Sequence, residues 1–599
     1  VTAAPGLVIA TAGHVDHGKS TLVRALTGTD PDRLAEERRR GLTLDLGFAW
    51  TTAPGGRTLA FVDVPGHHRY LATTFAGIAT APAVLLVVSA EEGWRPQTAE
   101  HLAALDAFGV RTGLLAVTRA DLADPAPTLA EAAERTSGTG LAGAPAVAVS
   151  ARTGEGLDRL LRELDALAAA LPPPDPAAPV RLWLDRAFTV AGAGTVVTGT
   201  LSAGTLAEGD TLHLAPAGRA VQVRGLHSLG HAVPRVTGPA RVAVNLRRIA
   251  ADQVRRGNAL LTPGRWWTTD LVDIRCEPTG GTDDGGAPPR LPAEPLVHCG
   301  TAATSARLRP LGLDTARLAL RTPLPLHVGD RLLLRDPGSR LLAGATVLDP
   351  EPPPLTGRGA AATRARLLAG ISEPTDPAVR LAAAGLGDRG RLTAQGYAVD
   401  ADGERWLFDR AHAERLAAAL AAAVKEHAGA HPADPGLPVA RARRLLALPP
   451  DTALAGLAAV AGAGLIVRDG RLYRAEEADR LPAAVAAGLE RLLDEVRSAP
   501  FQAPTRRRLD ELGLDAEALA LLVRRGALER VGTVHLPAGS VGRAARELAG
   551  LPQPFTVGEA ARALAVSRRV AIPLLETLDE TGHTHRRPDG RRVLKDDPG

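Results

Sequence analysis

Over roughly the first 170 residues, short unbroken apolar runs alternate with stretches of helical character. LVIATA at 7–12 is one such run, and 78–90, 114–118 and 147–149 are others. Runs of this kind predict strands buried on both faces, and their alternation with helices predicts a parallel α/β sheet. The stiff segment LPPPDP at 171–176 ends this pattern. From about 180 to 262 the chain breaks into short strands separated by Gly turns such as 192–194 and 208–210, which predicts a β-barrel. A second β-rich stretch runs from about 267 to 348, carrying HCGT at 298–301 and GDRL at 329–332 and interrupted by a Gly/Asp/Pro loop at 278–295. The Pro-rich hinge at 350–354 closes it.

The remaining 240 or so residues repeat with a period near sixty, Ala/Leu-rich helices followed by a short hairpin. Hairpins are expected at 403–407, 464–473, 528–536 and 583–594. Two helices and a wing make a winged helix, a relative of the helix-turn-helix. The expected domains are therefore 1–174 (α/β), 175–264 and 265–355 (β-barrels), and an α+β array of winged helices at 360–426, 427–485, 486–540 and 541–599.

Composition narrows the class. At 599 residues the chain needs several cores, and 45% apolar with 23% charged residues is ordinary for a globular protein. Lysine occurs only at 19, 425 and 595, so arginine carries nearly all the positive charge. The net charge of +4 permits nucleic acid as a partner without requiring it. Cys276 and Cys299 alone build neither a disulfide framework nor a zinc site, which fits a reduced cytoplasm. No signal peptide is expected, and the run 78–90 is too short and too interrupted by Pro82 to span a bilayer.

The most specific chemistry lies at Gly13-His14-Val15-Asp16-His17-Gly18-Lys19-Ser20, which fits the phosphate-cradling P-loop between a strand and a helix beginning near Thr21. Its glycines let backbone N–H groups face a β-phosphate, Lys19 reaches the β- and γ-phosphates, and Ser20 offers a hydroxyl to Mg2+. Three further segments complete a nucleotide site. Thr43, in RGLTLDLG at 40–47, can reach the metal; Asp63, in FVDVPGH at 61–67, holds it through water; Gly66 offers an N–H to the γ-phosphate. Thr118-Arg119-Ala120-Asp121 ends a buried strand, and Asp121 accepts from guanine N1–H and N2–H2, a pattern adenine lacks. Arg119 has a planar group suited to the purine face. Ser150-Ala151-Arg152 brings backbone toward guanine O6. His14 and His17 lack the carboxylate or thiolate that would complete a metal set, and read as part of the loop.

GHVDHGKS, RGLT and DVPGH together resemble the translational GTPases of the elongation factor Tu type. The resemblance implies that His67 orients the attacking water on the ribosome and that Asp16 supports the cation environment of the phosphates. The base motif departs from the family's Asn-Lys-x-Asp at Thr118 and Arg119. The segment 184–200, LDRAFTVAGAGTVVTGT, and the DLG after RGLT are similar to the selenocysteine-specific elongation factor, SelB. That resemblance implies a P-loop GTPase domain, two β-barrels and a winged-helix array, GTP/GDP and Mg2+ as cofactors, and an aminoacyl pocket at Asp185, Arg186 and Arg241. A selenol is largely ionised near neutral pH and a serine hydroxyl is not, so paired guanidinium groups would favour selenocysteine. Asp185 is expected to orient Arg186 or the ester's amino group.

The run SRRVAIPLLE at 567–576 and the basic wing at 584–593 resemble the end of SelB, which grips an mRNA hairpin. Arg568, Arg569, Arg586, Arg587, Arg591 and Arg592 are the candidate RNA contacts. Arg506 to Arg508 read either as a solvated face or as a contact to RNA or ribosome. The implied function is GTP-dependent delivery of selenocysteinyl-tRNA to the ribosome at UGA, with the hairpin as a further partner, by a cytoplasmic monomer without membrane contact. A general translational GTPase carrying another aminoacyl-tRNA, or a nucleotide-gated RNA-binding regulator, are the alternatives.

Overall fold

The computed structural model describes all residues except 1–5, 32–42, 193, 280–290, 340, 401, 461–463, 479 and 596–599. Arg40, Gly41, Leu42, Ala193 and most of the loop at 278–295 therefore lie outside the described residues. The chain divides into two compact units, 1–380 with 387–403, and 381–386 with 404–599.

The first unit begins with six strands, β1 (Leu7–Ala12), β2 (Gly47–Thr52), β3 (Thr58–Asp63), β4 (Ala83–Ser89), β5 (Gly113–Thr118) and β6 (Ala146–Ala148), in the spatial order β2-β3-β1-β4-β5-β6. Only β2 runs antiparallel to its neighbour. β1, β4 and β5 are buried at every position, as their unbroken apolar runs require. The apolar run at 78–90 is not one strand. Ile78 closes the helix Leu71–Ile78, and β4 starts only at Ala83, after Pro82 has ended any helical continuation.

Both β-rich stretches form barrels. In the first, strands Thr211–Ala215, Ala259–Leu261, Arg181–Val190, Gly194–Leu201, Ala240–Arg247 and Arg219–Ser228 pair in that order, and pairing of Thr211–Ala215 with Arg219–Ser228 closes the ring. Strand Arg181–Val190 carries a register shift between Leu184 and Arg186, which leaves Asp185 outside the regular ladder. Such a bulge re-aims the side chains around it. The second barrel closes over a core that includes Val272, Leu318 and Leu334.

The expected first winged helix, 360–426, is divided between the units. Helix Ala360–Ala369 packs on the second barrel, where buried Arg364 pairs with Asp273 (2.7 Å) and Asp349 (2.5 Å) and Leu368 meets Leu348. Those carboxylates sit on barrel strands, and burying them requires a partner. The hinge at 350–354 therefore does not separate this helix from the barrel. Among the described residues, the hairpin expected at 403–407 is represented by the short strand Trp406–Phe408.

In the second unit the other three hairpins form, at Leu465–Arg468 with Arg471–Arg474, Leu528–Val531 with Val534–Pro537, and Thr584–Arg586 with Arg592–Leu594. Each follows a set of helices. The last two modules share one core in which Phe501, Val531 and Leu536 pack with Phe555, Leu574 and Leu578. The second and third meet through both apolar and polar contacts: Ala433 and Leu481 pack on the third module's core, Asp434 pairs with Arg471 (3.1 Å) and Arg524, and Arg525 lies over Tyr473.

Candidate nucleotide and cargo sites

The carboxyl ends of β1, β3, β5 and β6 open on one cleft of about 670 Å3, lined by Asp16, Gly18, Lys19, Ser20, Thr21, Thr43, Gly66, Thr118, Arg119, Asp121, Ala151 and Arg152. This is where an open α/β sheet places its ligand. Gly13 bridges β1 to the loop at φ +131°, and a Cβ there would lie 2.1 Å from the Val87 carbonyl oxygen. Its N–H donates to Nδ1 of buried His101 (2.9 Å). The Lys19 ammonium donates to the carbonyls of Gly13 (3.1 Å) and His14 (2.7 Å), which holds it across the loop. Asp16 sits at φ +63°, exposed at the turn.

Three oxygens converge beside this loop. Ser20 Oγ lies 2.9 Å from Thr43 Oγ1 and donates to Asp63 Oδ2 at 2.6 Å, while Thr11 fixes the other Asp63 oxygen at 2.7 Å. Two hydroxyls and a carboxylate make an all-oxygen donor set that fits Mg2+. Gly66 is pressed against the same place: a Cβ there would lie 2.6 Å from both Lys19 Nζ and the Val15 nitrogen. His67 follows at the start of the turn His68–Tyr70, partly exposed, its Nδ1 accepting from the Arg69 N–H at 3.2 Å.

The departures from the usual base motif keep the loop tied. Thr118 Oγ1 donates to the His17 carbonyl (2.7 Å), and Arg119 donates to the Asp16 carbonyl (2.6 Å) and to Glu91 (2.8 Å). These bonds hold the guanidinium plane at the edge of the cleft. Ser150 is buried and accepts from the Thr153 N–H, shaping the turn that presents Ala151 and Arg152. His17 and His101 are fully buried, and burial pushes each down to about 3, so both rings are neutral.

In the first barrel, Asp185 is 3% exposed and forms a two-point pair with Arg241, while Thr198 donates to its Oδ1 at 2.7 Å. Of the two roles expected for Asp185, that of orienting Arg186 is corrected here. The bulge turns Arg186 the other way, to Asp45 Oδ2 (3.1 Å) and the Leu46 carbonyl, both from the segment just before β2. Two residues escaped the sequence reading. Phe48 lies beneath both guanidinium groups, 5.1 Å from that of Arg186 and 3.7 Å from that of Arg241. Arg256 donates to Asp45 (2.5 Å), Thr73 (2.9 Å) and the Asp185 carbonyl (3.0 Å). Its RRG setting at 255–257 gave no sign of partners some 180 to 210 residues away. Burial alone would raise the Asp45 carboxyl, but Arg186 and Arg256 outweigh it and hold it below the ordinary carboxylate range. Phe48, Trp50, Arg186, Phe188, His227 and Arg241 line a cavity of about 240 Å3.

Of the six candidate RNA arginines, five are exposed, Arg568 and Arg569 on one helix and Arg586, Arg587 and Arg591 on its wing. Arg592 is not free for RNA: it is 4% exposed and donates to Asp579 at 2.8 Å, fastening the wing to helix Arg568–Glu580. Arg569 donates to the Ala503 carbonyl (3.1 Å), between the last two modules. Arg506, Arg507 and Arg508 each pair with an acid on or beside their own helix, which leaves little net charge on that face.

Residues 5–170 match the elongation factor Tu GTP-binding domain family. With the P-loop cleft and two following barrels, this makes the protein a translational GTPase of that class; such enzymes hydrolyse GTP to GDP and phosphate with Mg2+. Residues 294–354 match the β-barrel domain of the selenocysteine-specific elongation factor, and 546–593 match a SelB winged helix. The selenocysteine-specific elongation factor of Desulfomicrobium baculatum is 31% identical over 98% of this chain and 100% of its own. That of Escherichia coli is 38% identical over 58% of this chain and 56% of its own. A crystal structure of a bacterial selenocysteine-specific elongation factor superposes with a TM-score of 0.70 at 25% identity, covering 99% of this chain and 100% of that one. The chain belongs to the selenocysteine-specific elongation factor family. No helix among the described residues is long and apolar enough to cross a membrane.

Proposed function

We propose that this protein carries selenocysteinyl-tRNA to the ribosome in its GTP state, with the selenocysteine side chain in the cavity beside Phe48. The observation that carries this reading is the placement of Arg186 and Arg241 on one cavity wall. Around it three guanidinium groups, those of Arg186, Arg241 and Arg256, face two carboxylates, Asp45 and Asp185. One unit of positive charge remains for an ionised selenium, and a neutral serine hydroxyl gains little from it.

In the cleft, Ser20, Thr43 and Asp63 would hold Mg2+, which when bound neutralises charge on the β- and γ-phosphate oxygens. Lys19 turns from the loop carbonyls to the phosphates, Gly66 donates its N–H to the γ-phosphate, and His67 places the water that attacks it. Asp121 reads the guanine edge. Arg568, Arg586, Arg587 and Arg591 bind the phosphates and unstacked bases of an mRNA hairpin at the UGA codon, raising the local concentration of the factor there. The factor acts as a cytoplasmic monomer.

The test is protection of the aminoacyl ester. With GTP bound, the protein should slow hydrolysis of selenocysteinyl-tRNA more than that of seryl-tRNA on the same tRNA body. Replacing both Arg186 and Arg241 with alanine should remove that difference; a preference that survives the double change sinks the proposed pocket.

A further inference from the structure

Thr43 meets Ser20 at one edge of the nucleotide cleft, and two residues later Asp45 meets Arg186 and Arg256 at the cargo cavity. Two residues of chain span at most about 7 Å, so Thr43 cannot move beyond that reach unless Asp45 moves with it. Beyond Asp45 the chain is fixed: Leu46 accepts from Arg186, and β2 pairs with β3 so that Gly47 faces Asp63 and Phe48 faces Val62. Phe48 in turn supports both cavity arginines. Arg256 gathers a second signal. One guanidinium holds Asp45, Thr73 of the helix that follows Gly66 and His67, and the backbone carbonyl of Asp185.

We propose that Asp45 is a positioning residue which, clasped by Arg186 and Arg256, transmits the nucleotide-dependent placement of Thr43 to the cargo cavity. With Thr43 on the triphosphate side, the Asp45 carboxylate sits between two guanidinium groups and keeps Arg186 beside Phe48. When Thr43 leaves, Arg186 and Arg256 lose the carboxylate that separates their like charges, and the cationic wall comes apart. The cargo is then released because its binding surface no longer exists, with no direct contact between nucleotide and amino acid. This is a coupling free energy carried by one identifiable element, and by linkage the cargo must stabilise the triphosphate state equally.

The inference rests on the cargo reading of the cavity, and the experiment separates the two. The dissociation constant of selenocysteinyl-tRNA is measured for the full chain with a non-hydrolysable GTP analogue and with GDP, in wild type, Asp45→Ala, Asp45→Glu and Arg256→Ala, and binding of the analogue itself is measured in each. Asp45→Ala and Arg256→Ala should weaken tRNA binding about tenfold or more in the analogue state while leaving the GDP state unchanged, so the ratio between states collapses. Asp45→Glu should restore part of the ratio. A merely structural lesion weakens both states alike, and an unchanged ratio in both variants overturns the coupling. Arg241→Ala, measured alongside, decides the other matter: full affinity for the analogue-state complex in that variant overturns the cargo cavity itself.

Discussion

The nucleotide cleft and the cargo cavity are built from the same residue types by opposite routes. In the cleft, most groups belong to contiguous runs at the ends of parallel strands, and the sheet brings those runs together whatever the side chains do. Ser20 and Asp63 meet because β1 and β3 are neighbours, and Thr43 joins them from the segment that leads into β2, the strand paired on the other side of β3. In the cavity the backbone fixes little. Arg186 and Arg241 lie on strands that both flank Gly194–Leu201, yet their partners are chosen by a bulge at Asp185 and by an acid about 140 residues away. A site assembled by topology keeps its geometry when one side chain is lost. A site assembled by charge pairing does not.

The sharpest way to break that contrast is His67→Ala. If topology alone places the reacting groups, this change should leave GTP and tRNA binding intact and lower ribosome-stimulated hydrolysis by about 10²- to 10⁴-fold. Single-turnover hydrolysis with programmed ribosomes measures it. Loss of nucleotide affinity together with rate would mean that the segment after Gly66 is as interdependent as the cavity.

The cavity should respond in stability as well as in binding. Asp185 and Arg241 are 2% and 14% exposed in their side chains, and removing one member of a buried pair leaves the other uncompensated. Asp185→Ala is expected to cost about 3 kcal/mol, read from denaturant unfolding of the first unit's transition. Arg186→Ala, whose pair with Asp45 is about a third exposed on both sides, should cost at most about 1 kcal/mol. Equal costs would erase the distinction between the pair that holds the barrel and the pair that reaches the nucleotide side.

How much of this the sequence carried follows the same division. The P-loop, Thr43, Asp63, Gly66 and Asp121 are legible because each motif has its own strand and turn, so local pattern suffices. The winged helices are legible as a repeat, and in the structure a capping box of Thr556 and Glu559 opens one of their helices. What failed was partner choice. Arg592 looks like a ligand in sequence because nothing local shows Asp579, Arg186 gives no sign that it also pairs with Asp45, and the first winged module looks separate because Arg364 gives no sign of Asp273 and Asp349. Phe48 and Arg256 were missed for the same reason: an apolar residue at a strand start and one arginine among many acquire their roles only in contact.

The two sites should also part under acid. His101 is fully buried, its Nδ1 accepts from the Gly13 N–H, and burial pushes it down to about 3 from 6.5. A lowered value means the unfolded chain binds the proton first. The folded state therefore loses stability as pH falls below about 6.5, by about 1.4 kcal/mol per pH unit, until the folded ring itself protonates near 3. Asp45 behaves in the reverse sense. Its depressed carboxyl contributes stability at all pH values above the ordinary 3.8, lost only as pH falls through the lower folded value. Acid should thus loosen the nucleotide side well before the cargo side. His101→Asn keeps an acceptor near the Gly13 N–H but cannot titrate, so between pH 6 and 5 it should flatten the stability curve by close to one proton. A curve of unchanged slope would show that His101 does not carry the acid sensitivity of the loop.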